Sequence, residues 1–246
     1  MLSRDLLQAL DPVRFCSERL QLSLDAVQAR LLRRRSHRSL LNCTRQWGKS
    51  TTTAIAALHE GAYAAGSKTI VLSPTQRQSS LLLAKVSELA EAAGIAARRL
   101  AGEDPGLQLP AGVLIALPGA EATTRGFAAC TWLIIDEAAR VPDALFYSAR
   151  AYLATTNGRL SLLSTPFGKR GFFYNEHESG RWDVTRVPAT ECPRISPEFL
   201  AEQRASMPEA WFRQEYLCEF TSLEDGVFDH DLVLSAISDD VEPLCL

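Results

Sequence analysis

The stretch SLLNCTRQWGKSTTTAIAALHEGAYAAG, residues 39–66, contains in one run the unit from which we derive the fold. It begins with SLLNC, a short apolar segment of the kind that enters a sheet, and continues through a polar loop into a segment rich in Ala and Leu. Gly66 closes that segment, as glycine commonly does at the end of a helix. The stretch therefore predicts a strand, a loop and a helix in that order.

The same alternation continues along the rest of the chain. Apolar runs that predict strands lie at 68–74, around Leu107, and at 112–118, 131–139, 158–166 and 182–188. Segments that predict helices lie at 24–35, 75–94, 143–153 and 196–220. Strands that alternate with helices imply a mostly parallel sheet with helices on both faces. We therefore predict an α/β fold with a small helical extension at its C-terminal end.

Composition limits the class of protein. The chain has 246 residues, 46% of them hydrophobic and 22% charged, which suits one globular domain with a sizeable core. No apolar run is long enough to cross a bilayer, and the N-terminus lacks a signal-peptide pattern, so we expect a soluble protein of the cytoplasm. The six cysteines form no C-x-x-C pair, which predicts reduced thiols, most of them buried.

The charge is nearly balanced, at −3 overall, so the chain as a whole lacks the basic character of a nucleic-acid-binding domain. One dense basic stretch stands out, RLLRRRSHR at residues 30–38, with five arginines and a histidine. It has two interpretations. It is either a solvated helix end, whose positive charge suits the helix dipole, or a contact with nucleic acid or a partner.

The loop within the opening stretch has the character of a phosphate-binding loop. CTRQWGKST, residues 43–51, ends as the pattern G-x-x-x-x-G-K-[ST] does, although it begins with Cys43 in place of glycine. It stands between a predicted strand and a predicted helix, where such a loop belongs. There backbone N–H groups would hold phosphate oxygens, Lys49 would reach the β- and γ-phosphates, and Ser50 would bind Mg²⁺. A chance match to the G-K-S tripeptide is the alternative.

Two further strand ends carry polar residues, and ligands of α/β sheets bind beyond such ends. Asp136 would hold Mg²⁺, and Glu137 would polarise the water that attacks the γ-phosphate. Ser164 and Thr165 would sense that phosphate. The alternatives are an acidic pair that caps the next helix and an ordinary Ser-Thr-Pro turn. The three ends in this order favour ATP hydrolysis.

Five blocks, in order, resemble the ATPase half of the large terminase subunit of tailed phages. They are TRQWGKST, LPGAEATTRGF, WLIIDEAARVPD, LLSTPFGKRGFFY and FRQEYLCEF, within about 24–228. The resemblance implies a RecA-like P-loop ATPase of the ASCE class that uses ATP and Mg²⁺ to move double-stranded DNA into a procapsid. It also implies a homo-oligomeric ring, the portal protein and the small terminase subunit as partners, and a phage or prophage origin with activity in the host cytoplasm.

The resemblance assigns further site residues. Loops of this family often lack the first glycine and carry Arg and Gln before the G-K pair, here Arg45 and Gln46. Gln28 would read the adenine edge, or be a polar residue of an amphipathic helix. Arg125 would act as an arginine finger on a neighbouring subunit's ATP, or pair with a local carboxylate. The implied sets are Glu137, Arg45 and Arg125 for catalysis, Gln28, Gln46, Gly48, Lys49, Ser50, Thr51, Ser164 and Thr165 for nucleotide, and Ser50 and Asp136 for metal.

The chain also departs from the family. Large terminases continue into an RNase H-like nuclease domain, whereas this sequence stops at Leu246. We therefore assign 1–220 to the ATPase domain and 221–246 to an acidic tail or the start of a linker, and we predict no nuclease activity. A helicase-like remodeller of nucleic acid, which would need a second motor domain, and a non-catalytic nucleotide-binding prophage remnant are the alternative functions.

Overall fold

An eight-stranded sheet forms the centre of the computed structural model, which describes residues 2–101, 104–118 and 127–221. The described strands are β1 (Arg38–Cys43), β2 (Ser67–Ser73), β3 (Arg98–Arg99), β4 (Gly106–Gln108), β5 (Gly112–Pro118), β6 (Trp132–Asp136), β7 (Arg159–Ser164) and β8 (Asp183–Val187). Their order across the sheet is β3-β4-β5-β2-β6-β7-β1-β8. Six neighbouring strands, β5, β2, β6, β7, β1 and β8, are parallel, and β3 and β4 add an antiparallel edge. The predicted α/β fold with a mostly parallel sheet is confirmed.

Helices cover both faces of this sheet. They are α1 (Leu2–Leu10), α2 (Pro12–Phe15), α3 (Ala26–Arg34), α4 (Lys49–Tyr63), α5 (Gln76–Ala92), α6 (Asp143–Ala149), α7 (Gly171–Glu178), α8 (Pro197–Ser206) and α9 (Glu209–Glu215). A π-helical turn, Cys16–Leu20, continues α2, and short 3₁₀ turns occupy Ala138–Arg140, Arg150–Leu153 and Ala189–Glu191. None of the described helices is long and apolar enough to cross a membrane.

Two hydrophobic cores lie on opposite faces of the sheet. One packs α3, α4 and α5 against the strands, and the other packs α6 and α7. Within β6, Ile134 belongs to the first core, whereas Leu133 and Ile135 belong to the second. Successive side chains of a strand point to opposite faces, so a strand that is covered on both sides is apolar throughout. This explains why the continuous run before Asp136 predicts a central strand.

Two features of the C-terminal third differ from the sequence prediction. The single helical segment predicted at 196–220 is two helices, because Pro208 lies between α8 and α9 and a proline cannot continue the helical hydrogen bonds. Helix α7 was not predicted. Its residues Phe172 and Phe173 are buried, and the Phe172 ring stacks on Phe146 at a centroid distance of 4.0 Å.

The cysteines and the basic stretch can both be compared with their predictions. The five described cysteines are free and buried, as predicted. Arg33 and Arg34 lie in the last turn of α3 and pair with Asp11 at 2.7 Å and Asp183 at 2.9 Å. Arg35 lies 3.5 Å from Glu60. These ion pairs favour the interpretation of a helix end over that of a nucleic-acid contact.

Candidate nucleotide-binding site

The order of the strands brings the three predicted strand ends together. Strand β7 lies between β1 and β6 and is parallel to both, so their carboxyl ends share one edge of the sheet. The register places Asn42 of β1 opposite Ser164, and Asp136 opposite Leu163. The loop at 44–48, the Ser-Thr pair and the acidic pair therefore lie at a single rim, where α/β sheets bind their ligands.

Lys49, the first residue of α4, is the buried cation of this rim. Only 7% of the residue is exposed. Its Nζ donates to the carbonyl oxygen of Cys43 at 3.2 Å and to Oγ1 of Thr165 at 3.1 Å, and both partners are uncharged. The Thr165 hydroxyl in turn donates to the same carbonyl at 3.1 Å. Among the described residues, Lys49 hydrogen-bonds no carboxylate, although its charge acts on Asp136 nearby. Burying an ammonium against uncharged partners is costly, so this position is suited to an anion.

The backbone of the loop is shaped for close approach. Gly48 has a φ of 99°, which glycine adopts without strain, and a Cβ there would lie 3.1 Å from the side chains of Gln28 and Arg194. No side chain caps the N-terminus of the 15-residue helix α4. The N–H groups of its first turn are therefore available to an anion, and the helix dipole favours one there.

The acidic pair occupies the end of β6. Burial, and secondarily the charge of Glu137, raises the pKa of Asp136 to about 6, although Lys49 and a hydrogen bond from the Glu137 N–H oppose the rise. That N–H donates to Oδ1 of Asp136 at 3.0 Å. Glu137 itself has a left-handed backbone, with φ 51° and ψ 41°, and lines the cleft described below.

The donor set at this rim fits a hard cation that is shared with a ligand. In the part of the chain that the structure describes, no group of three or more His, Cys, Asp or Glu side chains is placed to hold a metal ion. Asp136 and the Ser50 hydroxyl offer two oxygen ligands, and Mg²⁺ commonly takes one or two protein oxygens and completes its shell with phosphates and water. The residues therefore fit Mg²⁺ only together with a phosphate ligand.

The two hydroxyl residues after β7 have different surroundings. Ser164 is fully buried, donates to the Thr165 carbonyl at 2.8 Å and accepts from the N–H of Ala139 at 3.2 Å. It thereby joins β7 to the turn that follows the acidic pair. Thr165 instead contacts Lys49 through its side chain. Of the two predicted sensors, only Thr165 is in direct contact with the predicted phosphate-binding lysine.

Arg45 joins the loop to the last described helix. Its Nε lies 2.5 Å from Oε2 of Glu215, the final residue of α9, and this hydrogen bond raises the pKa of Arg45. Thr44 makes a second link, because its hydroxyl donates to the Glu215 carbonyl at 3.0 Å. The arginine side chain is 62% exposed and also lines the cleft. Helix α9 is thus attached to the loop at two neighbouring residues.

Gln28 is already used twice within the protein. It forms a capping box with Asp25, in which the N–H of each residue donates to the side chain of the other at 2.8 and 3.1 Å. Its Nε2 donates to the carbonyl of Trp47 at 3.2 Å. Trp47 is itself buried. Recognition of adenine by Gln28 stays a prediction, and it would require an exchange of these partners.

An open cleft of about 510 Å³ lies over the loop and the start of α4. It is lined by Thr44, Arg45, Gln46, Gly48, Lys49, Ser50, Thr51, Lys85, Glu137 and Arg194. Two of them lie outside every motif found in the sequence. Lys85 lies within α5 and donates to Oγ1 of Thr51 at 3.2 Å, and Arg194 contacts the Trp47 carbonyl from the loop before α8. Neither stands in a motif, so only the packing of the chain reveals them. The predicted finger, Arg125, lies outside the described residues.

A family model decides the membership of the chain. The model described as "Terminase large subunit, T4likevirus-type, N-terminal" matches residues 40–234. The chain belongs to this terminase family. A search of curated protein sequences found no match to this chain.

Solved terminase structures share the fold. The large terminase ATPase domain of Thermus phage P74-26 is 22% identical, with a TM-score of 0.74 over 86% of this chain and 100% of that one. The large terminase of bacteriophage HK97 is 16% identical, with a TM-score of 0.68 over 87% of this chain and 55% of that one. The predicted RecA-like terminase fold is confirmed.

A third solved relative has been studied both without and with nucleotide. This large terminase, from another thermophilic bacteriophage, is 11% identical, with a TM-score of 0.70 over 85% of this chain and 57% of that one. The same protein has also been solved with ADP and with ATP-gamma-S. This chain therefore spans little more than half the length of the two longer terminases.

Proposed function

We propose that this domain binds ATP with Mg²⁺ in the cleft, hydrolyses it, and drives the movement of double-stranded DNA during phage genome packaging. One observation carries the proposal: the buried Lys49 ammonium hydrogen-bonds only uncharged groups among the described residues, and it lines the same cleft as Glu137. Membership of the terminase large-subunit family supports the link with packaging. The ADP and ATP-gamma-S complexes of the thermophilic-bacteriophage terminase support the choice of nucleotide.

The phosphates would bind along the loop and the start of α4. Lys49 would exchange its carbonyl and hydroxyl partners for β- and γ-phosphate oxygens, and the exposed first-turn N–H groups would donate to the same phosphates. Gly48 keeps the backbone free of a side chain where the phosphates approach. Thr51, Gln46 and Arg194 would line the nucleotide on either side, since all three border the cleft.

Hydrolysis requires a water that is activated beside the γ-phosphate. Glu137 would accept a proton from this water as the water oxygen bonds to the γ-phosphorus. The bond from that phosphorus to the oxygen bridging to the β-phosphate breaks, and ADP and phosphate result. Asp136 and Ser50 would hold Mg²⁺, which when bound neutralises charge on the phosphate oxygens.

Two arginines complete the proposal. Arg45 would leave Glu215 to reach the phosphates, so nucleotide binding would loosen the contact between the loop and α9. Arg125 would act on the ATP of a neighbouring subunit in a ring, and an arginine finger is worth about 10³- to 10⁵-fold in rate. We propose the portal protein, the small terminase subunit and duplex DNA as partners, in the cytoplasm of the infected host.

Steady-state ATP hydrolysis with Mg²⁺ tests this function. We expect Glu137→Gln to lower the rate per subunit by at least about 100-fold, because the variant cannot accept the proton. Glu178→Gln is the matched control, since that carboxylate is 57% exposed and pairs with His177 away from the cleft. The assay is run over a series of protein concentrations, because a finger supplied in trans makes the rate per subunit rise with concentration. Equal rates for wild type and Glu137→Gln at every concentration would overturn the proposal.

A further inference from the structure

The side chain of Arg140, three residues after Glu137 in the chain, lies beside that of Glu137. The acidic pair is followed by one 3₁₀ turn, Ala138–Arg140, whose first bond runs from the Arg140 N–H to the Glu137 carbonyl at 2.9 Å. A 3₁₀ helix has three residues per turn, so side chains at positions i and i+3 eclipse one another. The Arg140 side chain therefore lies over that of Glu137, with Nη1 3.5 Å from Oε2.

The guanidinium of Arg140 is held on other sides as well. Its Cζ lies 4.7 Å from the centroid of the Phe167 ring, which follows Thr165 and Pro166 at the end of β7. Its second terminal nitrogen lies 3.9 Å from Oε1 of Glu215 at the end of α9. A cation stacked on a ring and placed between two carboxylates has few alternative positions. Arg140 is thus fixed by three separate elements of the fold.

Glu137 needs such a partner more than an ordinary surface glutamate does. It stands directly beside Asp136, and the two negative charges repel one another across a buried rim. Repulsion of this kind would turn a long, flexible carboxylate away from the cleft. A cation 3.5 Å from Oε2 opposes that movement.

From this geometry we propose that Arg140 is a positioning residue for hydrolysis, which holds the Glu137 carboxylate in the orientation that accepts the proton from water. The inference rests on the proposed function, because it assigns to Glu137 the role given above. Arg140 acts through Glu137 and has no role in holding the nucleotide. Its loss should therefore slow turnover and leave the apparent affinity for ATP unchanged.

Arg170 provides a matched control. Its Cζ also lies 4.7 Å from the Phe167 ring centroid, so it shares the stacking contact of Arg140. Within the described part of the chain, however, Arg170 makes no ion pair with Glu137, and it lies at the start of α7 rather than in the turn after β6. Replacing each arginine by glutamine removes the same charge from the same ring and separates the contact with Glu137 from stacking alone.

The experiment measures kcat and KM for ATP in the full chain. We expect Arg140→Gln to lower kcat at least about tenfold with KM within about twofold of wild type, because a misplaced catalytic group costs rate rather than binding. Arg170→Gln should leave both constants within about twofold. Arg140→Lys, which keeps the charge, should restore part of kcat. Equal kcat values for the two glutamine variants would overturn the inference.

A double variant tests whether Arg140 acts through Glu137. In the Glu137→Gln background, adding Arg140→Gln should leave the residual rate unchanged within about twofold, since residues that act as a unit are not additive. A further fall would mean that Arg140 acts on the nucleotide itself, and the inference would be wrong. If Arg140→Gln does not fold, as judged by circular dichroism, Arg140→Met is compared with Arg170→Met by the same criteria, since methionine also removes the charge and keeps an unbranched side chain.

The two proposals fail in different ways. If wild type and Glu137→Gln hydrolyse ATP equally, the proposed function itself is wrong. If Glu137→Gln abolishes turnover but Arg140→Gln behaves as Arg170→Gln does, only the positioning role is wrong.

Discussion

The helices on either side of strand β1 carry positive charge in opposite circumstances. At the C-terminal end of α3, Arg33 and Arg34 each lie within 3 Å of a carboxylate that neutralises them. At the N-terminal end of α4, the Lys49 ammonium is buried against a carbonyl and a hydroxyl. The first region is denser in charge, yet the second is the one suited to a ligand. A buried charge whose hydrogen-bond partners are uncharged indicates function better than a run of paired charges in the sequence does.

The largest expected difference between the two regions is in the rate of ATP hydrolysis. We expect Lys49→Ala to lower ATP hydrolysis on the order of 10³-fold, because it removes the cation that stabilises the transferred phosphate. Arg33→Ala, at the neutralised end, should stay within about twofold of wild type, since exposed ion pairs contribute little. Steady-state rates of the two variants side by side provide the measurement. Similar losses in both would contradict the distinction between the two ends.

A smaller effect concerns stability and pH. The pKa of Asp136 is raised by burial to about 6, so in the absence of Mg²⁺ and nucleotide its ionisation costs stability as the pH rises from about 4 to 6. Asp136→Asn should therefore be more stable than wild type at pH 7, by about 2 to 3 kcal/mol.

Asp11 is the opposite case. A hydrogen bond from Arg33 lowers the pKa of this carboxyl, so its charge stabilises the fold at neutral pH, and that contribution is lost as the pH falls below about 4. Asp11→Asn should lower the free energy of unfolding at pH 7 by at most about 1 kcal/mol. Urea unfolding of wild type and both variants at pH 4 and pH 7 measures the change in the free energy of unfolding, which we expect to be positive for Asp136→Asn and negative for Asp11→Asn at pH 7. A loss of stability in Asp136→Asn at pH 7 would contradict the account.

The smallest effect concerns two glycines. Gly48 and Gly66 both have positive φ, at 99° and 74°, so alanine at either position should cost about 1 kcal/mol of stability. Only at Gly48 would a Cβ meet other atoms, those of Gln28 and Arg194, whereas nothing lies within 4 Å at Gly66. Gly48→Ala should therefore also weaken nucleotide binding in fluorescence titrations with a labelled ADP, and Gly66→Ala should not. If Gly48→Ala and Gly66→Ala bound the nucleotide equally well, the phosphates would not lie beside Gly48.

Much of the fold follows from local pattern. The alternation of apolar runs with helical segments predicts each strand that borders the site, because strands covered on both faces are apolar throughout. The break at Pro208 follows from proline chemistry, although the pattern of 196–220 obscured it. Helix α7 is not predicted because its buried aromatic residues, Phe172 and Phe173, are adjacent in the chain and do not recur at helical spacing.

The site was predicted less completely, for a physical reason. Motifs identify residues that lie just after a strand, such as Lys49 and Asp136. They do not reveal the order of the strands in the sheet, which makes these strand ends neighbours. Lys85 and Arg194 reach the cleft only through packing of distant segments, and no local pattern distinguishes them. The separate surroundings of Ser164 and Thr165 likewise depend on the turn after β6.

Equilibrium binding tests the central claim most directly when turnover is removed. ATP with Mg²⁺ is titrated by calorimetry into Glu137→Gln and into the double variant that also carries Lys49→Ala, with Glu137→Gln combined with Arg33→Ala as the control. We expect Glu137→Gln and the Arg33 double variant to bind ATP with the same affinity, and the Lys49 double variant to bind at least about tenfold more weakly, because a charge-assisted contact to phosphate is lost. Equal affinity in all three proteins would contradict the account, because the buried ammonium would then play no part in holding phosphate.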